Sequence, residues 1–219
     1  MYVGRIVAVG RTRAGRLAGL YRVSSRSFPN RQARRLDQAV AIVPKPGHEQ
    51  DIFKNPYIAY NCLRLAGRFG VVTNGSHTDH IAEKLAAGYG PRDALASVLG
   101  AMDYEHDSLN TPRIAAVVDS GEGGGAWLGI VTREHLLVRA FAPAVGEAFY
   151  VATYEHTFPG SDQSDRAFDA ADAAGACQYV LGRGVFAALE RPVSAACLVA
   201  TAAGQFDVAI ADVTPPANP

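Results

Sequence analysis

Short runs of Val, Ile, Ala and aromatic residues, broken every few positions by Gly, Pro, Asn or Asp, set the narrowest limits on how this chain can fold. Runs of this length bounded by turn residues are strands. They are predicted at Tyr2–Gly10, Leu17–Ser24, Ala39–Pro44, Ile58–Leu65, Phe69–Thr73, Arg113–Asp119, Ala126–Val131, His135–Ala140, Ala148–Tyr154, Ser194–Thr201 and Asp207–Ala211. Helical spacing of apolar residues occurs in three segments. Thr78–Ala87 places Ile81 and Leu85 on one stripe, with Ser76 or Thr78 as its cap. Pro91–Met102 opens with a first-turn proline and carries Leu95, Val98, Leu99 and Met102 on one face. The Ala-rich stretch Asp165–Leu189 is expected to break near Gly182 or Gly184 into two helices. Helices in two blocks between groups of strands predict an α+β protein, with antiparallel sheet covered by helices. No repeat or linker interrupts the chain, so residues 1–219 are read as one domain, with 213–219 a Pro-rich flexible tail.

Charge narrows the function. Lys plus Arg and Asp plus Glu are equal at 21 each, so no global field favours nucleic acid or an anionic membrane. The cations are clustered, however: nine of the first 35 residues are Arg, whereas the whole chain has three Lys. A local anion site on a neutral protein is compatible with this. No apolar run approaches the ~18 residues that span a bilayer. Cys62, Cys177 and Cys197 are odd in number and form no CxxC pair, which places the chain in a reducing cytoplasm.

Four segments combine residue types that do chemistry. Tyr21 to Arg31 leaves a strand and turns at Pro29-Asn30, bringing Arg22, Arg26 and Arg31 together with Ser24, Ser25 and Ser27. Guanidinium forks, hydroxyls and loop N–H groups match the oxygens of a phosphate, although a solvated charged loop has the same composition. Asn55 to Cys62 is a turn entering a strand in which Tyr60 and Asn61 alternate. Either can orient a polar heterocycle, and Tyr60 can equally be a core aromatic with a bonded hydroxyl. Thr73 to His80 ends a strand and opens a helix. Asn74, Ser76 and His77 lie where free N–H groups can hold an anion or a carbonyl oxygen. His77 and His80 lack the second cluster that a metal site needs. Asp103, Glu105 and Asp107 alternate, so in an extended chain the three carboxylates share a face, raising at least one pKa or binding a cation. Thr153-Tyr154-Glu155-His156, at another strand end, is a candidate wall of the same pocket.

Together these motifs, in this order, resemble archaeal-type IMP cyclohydrolase. The resemblance runs from Met1-Tyr2-Val3-Gly4-Arg5, through Asn110-Thr111-Pro112-Arg113, to at least Thr153-Tyr154-Glu155. It implies a four-layer αββα sandwich like that of N-terminal nucleophile hydrolases, but without the nucleophile, since Met1-Tyr2 offers no Ser, Thr or Cys. It also implies closure of 5-formamidoimidazole-4-carboxamide ribonucleotide to IMP with loss of water. That reaction needs the formyl turned toward the carboxamide, donors for the formyl oxygen, and a group that moves protons. It involves no redox change, so neither cofactor nor metal is expected. Mapped onto this chain, Arg22, Ser25, Arg26, Asn30 and Arg31 would hold phosphate and ribose. Tyr60 and Asn61 would orient the reacting groups. Glu105 would transfer protons, modulated by Asp103 and Asp107, while Asn74, Ser76 and His77 would contact the base or formyl oxygen. Arg113 would pair with the acidic cluster. The expected partner is a small purine nucleotide, with the chain a homo-oligomer. Competing readings are a non-catalytic purine-nucleotide-binding protein of the same fold, and a metal-dependent phosphohydrolase built on Asp103, Glu105 and Asp107.

Overall fold

The computed structural model describes residues 1–202 and 204–213. The predicted tail therefore lies, apart from Val213, outside the described residues. Two antiparallel sheets face each other. The first has six strands in the order β11 (Ser164–Asp165), β10 (Glu147–Ala152), β1 (Arg5–Arg11), β2 (Leu17–Ser24), β12 (Pro192–Ala202) and β13 (Gln205–Asp212). The second has seven, in the order β3 (Arg31–Arg35), β4 (Ala39–Pro44), β5 (Tyr60–Ala66), β6 (Phe69–Thr73), β7 (Arg113–Asp119), β8 (Ala126–Val131) and β9 (Leu136–Phe141). Helices α2 (His77–Ala86) and α3 (Pro91–Met102) cover the outer face of the second sheet, and α4 (Ala173–Gly182) covers the first. The single-turn α1 (Asp51–Lys54) and a 3-10 turn at Pro56–Ile58 lead into β5. The α+β, four-layer arrangement expected from the sequence is the one observed.

Strand alternation sorts the side chains into three cores. Val7, Val9, Tyr21, Val23, Tyr60, Cys62, Ile114 and Ala116 meet between the sheets. Ile6, Ala8, Ala18 and Leu20 point the other way, onto α4. Val71, Ala115 and Val117 pack on α2 and α3. Strands covered on both faces read as unbroken apolar runs, which makes them easy to find.

Three differences from the sequence reading have physical causes. β1 starts at Arg5, not Tyr2, because Gly4 takes φ 73° at a position where a Cβ would collide with Thr153 Oγ1. β3 has the sequence pattern of a loop end, since Arg31, Arg34 and Arg35 give it little apolar signal. The segment from Asp165 to Asp172 is not helical: Ser164–Asp165 pairs with β10, and α4 starts only where Asp172 accepts from Gly175 N at 2.7 Å. The break near Gly182 is real, but the second piece, Gly184–Ala188, is a 3-10 turn.

Arg22 is a further correction. Its motif points to phosphate, yet it lies one residue out of phase with Tyr21 and Val23, so it faces the α4 layer. Its guanidinium is fully buried and donates to the carbonyl oxygens of Val180 (3.2 Å), Phe186 (3.1 Å), Leu189 (2.6 Å) and Glu190 (3.2 Å). Orphan carbonyls at the end of α4 and the turn after it are thus satisfied by a cation at the negative end of the helix dipole. Burial lowers the Arg22 pKa to about 10. Arg22→Met is expected to cost about 2–4 kcal/mol of stability, read as a lower urea midpoint with an unchanged slope. An unchanged midpoint would show that these carbonyls find other donors.

Candidate active site

The inter-sheet core ends in polar groups. Arg5 continues the Val7–Val9 row of β1, Arg31 continues Ala33 of β3, and Tyr21 and Tyr60 close the gap between them. The two phenol oxygens are 2.5 Å apart, with the rings edge to face. Above them opens a cleft of about 360 Å³ lined by Tyr2, Arg5, Ser25, Arg26, Arg31 and Tyr154, with Asp107 and Leu109 on its far side. A smaller hollow lined by Tyr57, Tyr60, Gly75, Ser76 and Glu105 lies beside it.

Unsatisfied polar atoms gather at this end. Arg5 Nε, Arg31 Nη1, His77 Nδ1 and Glu105 Oε2 are buried with no hydrogen-bond partner among the described residues. Such groups are costly unless a ligand or water completes them. Glu105 is 1% exposed, and its Oε1 lies 3.5 Å from Arg113 Nη1, a long contact for an ion pair. Desolvation raises the Glu105 pKa to about 7, against the pull of Arg5 and Arg113. Burial also holds Arg31 below its usual value and pushes Tyr21 well above its own, so Tyr21 stays a phenol. For Arg5, burial is outweighed by Tyr60, Glu105 and Tyr154, which hold its pKa up.

The other sequence candidates divide. Ser25 lines the cleft, accepting from Phe28 N at 2.9 Å, and Arg31 Nε donates to Phe28 O at 3.1 Å. Arg26 reaches the rim, stacked over Tyr2 at 4.4 Å and paired with Glu190 at 2.8 Å. Tyr60, Ser76 and Glu105 share the small hollow. Asn30 does not line the cleft. Asn61 faces the helix layer, where its amide donates to Asp79 at 3.0 Å, so it cannot act with Tyr60. Asn74 is consumed structurally: its amide nitrogen donates to Pro112 O at 2.9 Å and its oxygen accepts from Ile114 N at 2.8 Å. Ser76 makes no capping bond; Thr78 instead bonds Gly75 O. His77 is fully buried and turned to Ile114 O, and burial lowers its pKa to about 3.

The three alternating carboxylates do not converge. Asp103 takes φ 55°, which breaks the extended geometry, and its half-exposed side chain pairs with His106 at 3.3 Å. Asp107 closes its own turn, accepting from Leu109 N, Thr111 N and the Thr111 hydroxyl. Among the described residues no three His, Cys, Asp or Glu are grouped to hold a metal. Arg5 is a cleft residue to which the sequence analysis assigns no role; beyond its place at the start of the resemblance, its signal is a lone cation in phase with Val7 and Val9. A larger hollow, about 460 Å³, lies at the other end of β1. Its Arg11 donates to Pro143 O and Gly15 O, and its Asp119 pairs with Arg68, so it holds no comparable set of orphaned groups.

A buried cation cluster beside a carboxyl poised near neutrality is suited to an anionic substrate and proton transfer. The family model for IMP cyclohydrolase-like protein matches residues 2–204. This chain belongs to that family. An IMP cyclohydrolase of Methanosphaera stadtmanae is 46% identical over 195 residues, 89% of this chain and 92% of the relative. That of Methanocella arvoryzae is 58% identical over 158 residues, 72% and 76% of the two chains. One from Methanococcus aeolicus is 40% identical over 210 residues, 95% and 98%. The family match over residues 2–204 takes in the cleft residues and every strand up to β12.

Glu105 also leaves a signature in stability. Its pKa is raised on folding, so its contribution is present below about pH 4.5 and is lost as pH rises through about 7. Glu105→Gln is therefore expected to gain melting temperature relative to the unmodified chain at pH 8, and to lose that advantage at pH 4. A difference that does not change with pH would mean the carboxyl titrates normally.

Proposed function

We propose that this chain is an IMP cyclohydrolase that closes 5-formamidoimidazole-4-carboxamide ribonucleotide to IMP. The observation that carries this reading is the meeting of Tyr60 and Glu105 over one hollow, beside a cleft rich in buried guanidinium. The phosphate dianion would sit against Arg31, Ser25 and the loop N–H groups, with Arg26 at the rim. Arg5 and Arg31 carry the donors that most need an anion. Tyr60, fixed by the Tyr21 hydroxyl, would donate to the formyl oxygen as negative charge builds there.

Glu105 would carry the protons. As carboxylate it takes one from the carboxamide nitrogen as that nitrogen attacks the formyl carbon. As carboxylic acid it returns one to the departing hydroxyl. A pKa near 7 makes both forms available at neutral pH. Asp103 at most tunes this from a distance, through its carbonyl oxygen, which accepts from Arg113 Nε at 2.8 Å. Ser76, which lines the small hollow, would touch the base, and Asn30 would reach the ribose only from outside the cleft lining. A homo-oligomeric state and a cytoplasmic location belong to the same proposal. Three free buried thiols accord with a reducing setting, and no helix among the described residues is long and apolar enough to cross a membrane.

Incubating the purified chain with the formamido ribonucleotide is expected to accelerate the ultraviolet change of ring closure, undiminished in excess chelator. No acceleration at saturating substrate would leave only a nucleotide-binding role; loss of turnover with chelator would favour metal chemistry. Glu105→Gln is expected to lower kcat about 10²–10⁴-fold, and Arg26→Ala mainly to raise KM. Near-normal kcat in the first variant would remove Glu105 from proton transfer.

A further inference from the structure

Gly75 stands where β6 gives way to α2. A Cβ on it would meet three polar atoms at once: His77 Nδ1 and Arg113 Nη1 at 3.1 Å, and Glu105 Oε1 at 3.2 Å. His77 Nε2 lies 3.0 Å from Ile114 O, and a carbonyl only accepts, so Nε2 carries the ring proton. Nδ1 then offers a lone pair, because burial keeps the ring neutral. That lone pair and Glu105 Oε2 are fully buried, with no hydrogen-bond partner among the described residues. Arg113 supplies a donor, but its contact with Glu105 is long at 3.5 Å. The adjoining hollow, lined by Tyr60, Gly75, Ser76 and Glu105, measures about 30 Å³. That leaves room for a water, which needs roughly 10–15 Å³ on this measure, next to Gly75 and Glu105, and a buried water is stable when it has two to four polar partners.

We propose that Gly75, His77, Arg113 and Glu105 form a one-water subsite, and that the oxygen it receives in each turnover is the one lost in ring closure. The proposal rests on the ring-closing reading. In the closing step the carbon–oxygen bond of the cyclised carbinol breaks, and its electron pair leaves with oxygen. Glu105 supplies a proton to that oxygen, forming water. The neighbouring ring nitrogen gives its proton to the carboxylate so formed, and the C=N bond closes. The new water donates to His77 Nδ1 and accepts from Arg113, which draws it off the reacting carbon. Gly75 is needed because any side chain there would fill the space between these groups.

Gly75→Ala tests this, since Gly75 does not take the left-handed conformation and alanine suits its backbone. The expected result is a kcat lowered about tenfold or more, with KM and the calorimetric Kd for IMP within about twofold of the unmodified chain. IMP lacks the departing oxygen, so its binding is the control. A kcat within about twofold, or a parallel loss of IMP affinity, would overturn the subsite. A high-resolution crystal structure of the unmodified chain gives a second test that no folding defect can confuse. It should hold an ordered water bonded to both His77 Nδ1 and Glu105; a dry site contradicts the proposal. Failure of the unmodified chain to close the ring would instead remove the functional reading on which it rests.

Discussion

Positive charge is buried at one end of the inter-sheet core, and the surrounding architecture is organised to tolerate it. Arg5, Arg31 and Arg113 are all nearly excluded from solvent, and Glu105 is the one buried carboxylate that faces them among the described residues. Burying an ion costs several kcal/mol unless it is paired, and here the pairing is incomplete. Glu105 cannot balance three cations, and its own desolvation favours the neutral form. The site is therefore built to receive an anion. On the proposed reading, a nucleotide phosphate would supply the missing charge and the acceptors that Arg5 and Arg31 lack.

The fold makes such a cluster possible. Both sheets bring apolar rows to its base, and Tyr21 and Tyr60 seal the row with a hydrogen bond. The same alternation sends Arg22 to the opposite face, where carbonyl groups at the end of α4 and the turn beyond it stand in for an anion. Neighbouring residues on one strand thus do unrelated work: Tyr21 supports the candidate site, and Arg22 ties a helix to its sheet.

Much of this is legible in the sequence. Strands such as Leu17–Ser24 and Arg113–Asp119 are found at the bounds predicted for them because both faces are covered, leaving an apolar run that turns delimit sharply. β3 is hidden because its cations give no such run. Within the candidate site, the motifs point to loops that line the cleft and hollow but not to which side chains face them. Asn61 and Asn74 belong to matching segments, yet each spends its amide on the scaffold. Composition cannot distinguish these uses, because an amide that mimics backbone and one that binds substrate are the same residue. Asp103 fails for another reason: alternation of carboxylates requires an extended chain, and φ 55° at that residue ends it. Arg5 receives no role from the sequence because it sits in a strand that reads as core, and only the distant partners Arg31 and Tyr154 make it part of a cleft.

A crystal soaked with IMP is the sharpest test of an anion-receiving cleft joined to a proton-transfer hollow. The phosphate is expected within hydrogen-bond distance of Arg31 Nη1 and the Ser25 loop, with the purine edge between Tyr60 and Glu105. A nucleotide ordered instead in the hollow lined by Arg11 and Gly121, or one whose base turns away from Glu105, would contradict it.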